Sequence, residues 1–329
     1  MSQFKELFQR FSEIPVLVLG DLMLDSYWWG HVDRISPEAP VPIVRMDSRE
    51  LRIGGAGNVA LNLVALNAPV QLLSVIGRDE DGDALIDLLG KKGIGTGSLL
   101  RSDQRITTSK TRIISRNQQM LRLDSESTMD LSSTEEDSLL DLFKETIHRS
   151  KPRVLILEDY NKGLLTPRVI REAIELCRKE QILTAVDPKS RNFFAYQGVD
   201  IFKPNLKEVR EGLSLALEPA DLAALRQVHD QLIQRLHHRI SLVTLSEKGV
   251  FFQEKDQAKL LPSYVRRVSD VSGAGDTVIA VASLVFAATG ESRLMAAVAN
   301  IAGGLVCEEV GTGPVNRDQL LQECELLLS

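Results

Sequence analysis

The sequence predicts an α/β fold: a mostly parallel β-sheet covered by helices. Two observations carry this. Short apolar runs of strand length recur along the 329 residues, and between them lie helix-length stretches with recognisable starts. Neither a low-complexity linker nor an internal repeat divides the chain, so residues 1–329 read as one domain.

The elements follow in order. The first ten residues form an amphipathic, charged start unlike a secretory signal. Val16-Leu-Val-Leu19 is continuously apolar and ends in Gly20-Asp21, as a strand buried on both faces would. Residues 41–44 with their flanks, and residues 107–123, read as exposed strands. There Ile113-Ile114 and Met120-Leu121 sit among arginines and polar residues. The alternatives are a small β-flap, contributed by about 27–53 and 105–124, or a pair of surface hairpins. Ser133-Thr-Glu-Glu136 has a capping-box pattern ahead of Leu139-Leu140. Thr166-Pro167 opens a helix to about Glu180 with proline in its first turn. Further strand-like runs lie at 154–157, 183–186, 201–202 and 241–245, and helices are expected at 277–289, 294–310 and 318–328.

Bulk composition narrows the function. A net charge of −6 argues against non-specific nucleic-acid binding. Three scattered cysteines, Cys177, Cys307 and Cys324, give no disulfide or zinc framework and suit a reducing cytoplasm. Apolar runs such as 278–288 are too short to span a bilayer, so no membrane partner is expected.

The most informative stretch is Asp270-Val-Ser-Gly-Ala-Gly-Asp276-Thr, followed at once by an apolar run. Backbone N–H groups at a helix start attract anions, and glycines let a phosphate approach closely. A carboxylate beside that site is repelled by phosphate but is well placed to take a proton from an attacking hydroxyl. The combination reads as phosphoryl transfer to an alcohol. The plainer alternative is a helix-start aspartate favoured by the macrodipole, which leaves Gly273 and Gly275 unexplained.

Other clusters each have two readings. Gly54-Gly-Ala-Gly57-Asn58 is either a tight turn before a buried helix or a place where a polyhydroxylated ligand meets backbone N–H groups and Asn58. It is not the glycine fingerprint of a dinucleotide site. Asp21 and Asp25, beyond the first strand, either accept bonds from sugar hydroxyls or cap a turn. Asn205 and Glu208 share one face of a helix's first turn, as a cap or as a water-mediated Mg²⁺–phosphate site. The turn Ser246-Glu-Lys248-Gly249 either holds a nucleotide's phosphates or joins a hairpin. Asp159-Tyr-Asn-Lys162-Gly163 and Asp187-Pro-Lys189 each offer a cation at a strand end. His31, His148, His229, His237 and His238 show no metal-ligand pattern and read as structural or surface.

Taken together, these segments resemble the PfkB (ribokinase-like) carbohydrate kinases, from Gly20 to about Gly313. The signatures are the N-terminal Gly-Gly cluster and Asp270-x-x-Gly-Ala-Gly-Asp276. Arg34-Ile-Ser-Pro-Glu-Ala-Pro-Val-Pro42, Ser115-Arg-Asn-Gln-Gln119, Arg122-Leu-Asp124, Asp159-Tyr-Asn-Lys-Gly163, Val186-Asp-Pro-Lys189 and Asp276-Thr-Val-Ile279 are most similar to the heptose 7-phosphate kinases within that family.

The resemblance implies a three-layer α/β/α fold with a small β-lid, ATP and Mg²⁺ as cofactors, and a sugar phosphate as substrate. Asp276 is then the base for a C1 hydroxyl, and the amides of Gly273, Ala274 and Gly275 form the anion hole. Asn205, Leu206, Lys207 and Glu208 match the ATP and metal motif, with Glu208 holding Mg²⁺ through water. Ser246, Lys248 and Gly249 match the nucleotide loop, and Asn300 borders the adenine. Asp25, Gly54, Gly55 and Asn58 match sugar contacts, and Asp159 lies in a substrate-side segment. Lys162, Lys189, Arg112 and Arg116 are the candidate anchors for a distal phosphate. Glu158 stands where a small polar residue is expected. The chain leaves no room for a nucleotidyltransferase domain, so adenylyl transfer would fall to a separate enzyme. A homodimer through the lid is expected from its exposed edges, and a monovalent cation near Asp270 or Gly311-Thr-Gly313 stays open. Another sugar of the same superfamily, or a silent sugar-binding module, are the rival functions.

Overall fold

A computed structural model describes residues 2–116, 118–215, 217–218, 220–264 and 267–328. Asn117, inside the 115–119 segment, lies outside them. From the N-terminus, α1 (Gln3–Arg10) leads into β1 (Val16–Gly20), the long strands β2 (Leu22–Ile35) and β3 (Pro42–Gly55), α2 (Ala56–Ala65), β4 (Val70–Gly77), α3 (Glu80–Lys91), β5 (Leu99–Ser102), β6 (Thr108–Ser115) and β7 (Gln118–Ser125). Then come α4 (Ser133–Ser150), β8 (Val154–Glu158), α5 (Pro167–Lys179), β9 (Leu183–Asp187), β10 (Ile201–Phe202), α6 (Leu206–Leu213), α7 (Leu222–Leu236) and β11 (Ile240–Thr244). The chain closes with β12 (Val250–Glu254), β13 (Gln257–Leu261), α8 (Ala274–Thr289), α9 (Ser292–Val306) and α10 (Arg317–Leu327).

The main sheet runs β13-β12-β11-β10-β9-β8-β1-β4-β5. It is parallel from β11 to β5, and β12 and β13 extend it as antiparallel edge strands. β1 lies in the interior of this sheet, and all its residues are buried. Strand alternation sends Val16 and Val18 to one face and Leu17 and Leu19 to the other. The first face packs against α1, α2, α8 and α9, the second against α4, α5 and α7. This is the expected three-layer α/β/α arrangement. Helix α8 is apolar nearly all round because neighbouring elements enclose it.

A second, four-stranded sheet has the order β3-β2-β6-β7. Its strands span Leu22–Ile35, Pro42–Gly55, Thr108–Ser115 and Gln118–Ser125, and Tyr27, Trp28 and Trp29 lie within β2. β2 is buried where it leaves the main body and exposed towards Ile35. Arg52 Nη1 donates to the carbonyls of Val310 (2.8 Å) and Thr312 (3.3 Å), fastening this sheet to the loop after α9.

Two local readings need correction. The capping box of α4 is Ser132 with Glu135, one residue before the expected pair, because Ser132 is the extended residue at the helix start. Helix α8 starts at Ala274, because Gly273 adopts φ 78° and ends the preceding turn there. Among the described residues, no helix is long and apolar enough to cross a membrane.

Candidate active site

The parallel strands point their carboxyl ends at one place, where α8 begins. Glu158 ends β8, Asp187 ends β9, Lys203 follows β10, and Asp276 lies in the first turn of α8. Oxygens of Glu158, Asp187 and Asp276 lie within 4.8 Å of one another, and all three residues are buried. Asp276 is held from both sides. Asn58 Nδ2 donates to its Oδ2 at 2.7 Å, and the Tyr160 hydroxyl donates to its Oδ1 at 2.7 Å. Gly273 makes this arrangement possible. A Cβ there would lie 2.6 Å from Asn58 Nδ2, and its positive φ disfavours other residues.

Two lysines offset part of the negative charge. Lys203, almost wholly buried, places Nζ 2.7 Å from Asp187 Oδ2, and Lys189 Nζ is 3.7 Å from Asp187 Oδ1. Burial is the main cause that raises the Asp276 pKa to about 6, and Asp187 adds to it against the Asn58 and Tyr160 hydrogen bonds. Glu158 is fully buried, and neither carboxyl oxygen accepts a hydrogen bond. Its pKa is pushed well above the ordinary value, first by burial and then by Asp187 and Asp276, which favours the protonated acid. Asp270 fixes the approach to α8. Its Oδ1 accepts from the Ser272 N–H at 3.0 Å and its Oδ2 from the Gly311 N–H at 2.9 Å.

The raised acids set a pH dependence of stability. Asp21 and Asp276 both titrate near 6 in the fold, against 3.8 for the free side chain. Between those values the folded chain binds more protons than the unfolded one. Their stabilising contribution is therefore full below about 3.8 and is lost as pH rises through about 6. Urea unfolding at intervals from pH 4 to pH 7 should show Asp276→Asn flattening this fall relative to the parent. Identical slopes would contradict the assignment.

The segments predicted to bind nucleotide line a neighbouring stretch. Asn205 and Glu208 form a reciprocal capping box on α6. The Glu208 N–H donates to Asn205 Oδ1 at 2.9 Å, and the Asn205 N–H to Glu208 Oε2 at 2.8 Å. Lys189 Nζ donates to Glu208 Oε1 at 2.6 Å. Leu206 and Lys207 open the helix, and Lys207 points to solvent beside Glu211. Glu208 fits a divalent ion by its hard carboxylate oxygens; with one oxygen on the cap and the other on Lys189, it would hold the ion through water. Ser246 and Lys248 belong to the short turn that joins the antiparallel strands β11 and β12, and Gly249 closes it with φ 94°. Asn300, on α9, donates to the Pro262 carbonyl at 2.9 Å.

On the other side, several predicted sugar contacts are already engaged. Asp25 is buried against Arg112, with Nη1 to Oδ1 at 2.6 Å. A Cβ on Gly54 would lie 2.4 Å from Asp25 Oδ2, and Gly55, with φ 59°, caps α2. Asn58 spends its amide on Asp276 while its Oδ1 has no partner, so that oxygen is free to accept from a ligand. Asp159, a predicted substrate contact, already has a partner on each oxygen. It is buried, Tyr196 donates to its Oδ2 at 2.6 Å, and the Asn161 N–H donates to its Oδ1 at 2.7 Å. Asp21 accepts the N–H groups of Tyr160 (2.8 Å) and Lys162 (3.1 Å). Lys189 sits with Glu208 and Asp187 and is thus committed to the acidic cluster. Arg116 is exposed at the β6–β7 turn with φ 49°. Lys162 pairs with Glu126 at 2.7 Å. Of the three predicted anion-hole amides, that of Ala274 turns to the Val271 carbonyl at 3.3 Å.

Sequence reasoning missed Lys203, Tyr160 and Lys110. Lys110 is half-buried, and its pKa is lowered first by burial and then by the charge of nearby Lys162. A lysine directly after the buried two-residue strand β10 was a readable signal for Lys203.

Comparison with known proteins agrees with this geometry. The pattern of the pfkB family carbohydrate kinases matches residues 15–319. The bifunctional protein HldE of Geobacter sulfurreducens is 38% identical over 318 residues, covering 96% of this chain and 64% of that protein. HldE of Geotalea uraniireducens is 38% identical over 322 residues, covering 98% of this chain and 65% of that protein. The chain thus spans just under two thirds of the length of these relatives. Escherichia coli phosphofructokinase-2 in complex with potassium superposes with a TM-score of 0.82 at 17% identity, covering 96% of this chain and all of that one. Arabidopsis thaliana ribokinase complexed with ribose and ATP gives 0.73 at 16% identity, covering 94% and 99%. The chain belongs to the pfkB family of carbohydrate kinases and is an ATP-dependent carbohydrate kinase.

Proposed function

We propose that this chain phosphorylates the C1 hydroxyl of D-glycero-β-D-manno-heptose 7-phosphate, giving the 1,7-bisphosphate for ADP-heptose and the lipopolysaccharide inner core. The observation that carries the reading is Asp276, a buried carboxylate with pKa near 6, held by two donors where α8 begins. A base poised near neutrality accepts a hydroxyl proton without being protonated itself at pH 7. Lys110 and Lys162 lie near each other, and a distal phosphate would take the place that Glu126 holds on Lys162. They join Arg112 and Arg116 as anchors in this reading.

In the reaction, Asp276 takes the proton of the C1 hydroxyl as its oxygen forms a bond to the γ-phosphorus. The bond from that phosphorus to the bridging oxygen breaks, and its electron pair leaves on ADP. The amides of Gly273 and Gly275 and the α8 N-terminus would offset the charge on the transferring group. Lys203 and Lys189 hold Asp187 and Glu208 in place beside it. Mg²⁺ bound with ATP would neutralise phosphate charge, held through water by Glu208. Ser246, Lys248, Gly249 and Asn300 would border the nucleotide. A monovalent cation near Asp270 and the 311–313 turn belongs to the same reading, supported by the potassium complex of phosphofructokinase-2. Two copies would pair through the lid sheet, covering exposed Met46, Leu121 and Leu123.

The test is an assay with ATP, Mg²⁺ and a panel of heptose 7-phosphate, fructose 6-phosphate, ribose and a nucleoside, with the product's phosphate placed by ³¹P and ¹³C NMR. Heptose 7-phosphate should give the highest kcat/KM and a new ester at C1. Preference for another acceptor, or a phosphate at another carbon, would refute the substrate.

A further inference from the structure

We propose that Tyr160 is a positioning residue for phosphoryl transfer, its hydroxyl orienting the Asp276 carboxylate and keeping it ready to accept the substrate's proton. The role in turnover rests on the kinase reading above; the hold on the carboxylate does not.

Tyr160 is restrained at three points. Its backbone N–H donates to Asp21 Oδ2 at 2.8 Å. Its ring lies near two ammonium groups, with Lys189 Nζ 5.3 Å and Lys110 Nζ 5.9 Å from the centroid. Its hydroxyl reaches Asp276 Oδ1 at 2.7 Å. A side chain fixed at backbone, ring and tip has little freedom left, so the hydroxyl's aim is set before substrate arrives. Burial and the facing carboxylates push the Tyr160 pKa well above 10, so the phenol remains a donor at any working pH. Asn58 holds the other oxygen, Oδ2, at 2.7 Å. One donor on each oxygen fixes the plane of the carboxylate, while each oxygen keeps a lone pair for the acceptor hydroxyl.

The other groups facing Asp276 pull in both directions. Asp187 on β9 favours its proton and Lys203 beyond β10 opposes it, while Glu158 on β8 faces it as an acid that itself favours the protonated form. Removing the phenol oxygen takes away a bond made to the charged form and leaves both acids in place. The proton is then held more tightly, and the carboxylate gains freedom to turn.

The experiment compares the parent with Tyr160→Phe. The acid limb of the kcat/KM pH profile should move up by about one unit. Substrate ionisations are common to both proteins and cancel in the comparison. At pH 8 kcat should recover to within roughly tenfold of the parent, and KM for ATP should stay unchanged. A measurement independent of turnover is the titration of the Asp276 carboxyl carbon in ¹³C-aspartate-labelled protein, assigned by its absence in Asp276→Asn. Its midpoint should lie near 6 in the parent and about one unit higher in Tyr160→Phe. An unmoved midpoint with an unmoved acid limb overturns the proposal. So does a loss of kcat matched by a rise in KM for ATP at every pH, which marks a structural role alone. A parent that phosphorylates no sugar refutes the kinase reading, and the carboxyl titration still decides whether Tyr160 holds Asp276.

Discussion

Asp276→Asn should lower kcat by roughly 10²–10⁴-fold or more while sugar binding stays within a few-fold of the parent. The substitution keeps the side chain's size and one acceptor oxygen, so the Asn58 or the Tyr160 hydrogen bond can persist. What it removes is the capacity to take a proton. The variant should also be no less stable than the parent at pH 7, because an ionised acid buried beside Glu158 and Asp187 has been replaced by a neutral amide. Turnover by single-exchange assay, sugar binding by calorimetry and urea unfolding together separate the outcomes. Retained turnover would refute the base assignment. Lost turnover with lost stability would point to a broken fold in place of lost chemistry.

Lys203→Met should cost about 3–5 kcal/mol of stability at neutral pH. Lys203 is buried with its ammonium 2.7 Å from Asp187, and its removal leaves three clustered carboxyl groups with the more distant Lys189 as counter-charge. Much of that cost is the desolvated Asp187 left unpaired, so Lys203→Met combined with Asp187→Asn should recover a large part of it. Urea midpoints of the two single variants and the double variant make the test. A loss under about 1 kcal/mol for Lys203→Met would show that the cluster carries far less charge than the geometry implies.

The main sheet was legible because its strands are buried on both faces. Val16-Leu-Val-Leu19 and 154–157 are uninterrupted apolar runs, and only that environment favours them. The Gly273–Asp276 turn was legible because two glycines before an acid at a helix start are costly without a reason. The lid was ambiguous: its strands are solvated on much of their surface, so alternation is weak in β3 and β7. The site's wiring was not legible, because residues 158, 160, 187, 203 and 276 meet only through the crossovers between β8, β9, β10 and α8. Asp159 shows the limit. It has the position of a sugar-binding acid, and Tyr196, distant in sequence, takes one of its oxygens. Lys189 resembles a phosphate anchor until Glu208 is seen 2.6 Å away.

A crystal structure with a non-hydrolysable ATP analogue and heptose 7-phosphate decides whether the sugar's reacting oxygen meets Asp276. The C1 oxygen should lie about 2.6–3.2 Å from an Asp276 carboxylate oxygen, in line with the γ-phosphorus. A sugar seated with C1 beyond reach of Asp276, or with another hydroxyl facing the phosphorus, would contradict the proposed reaction.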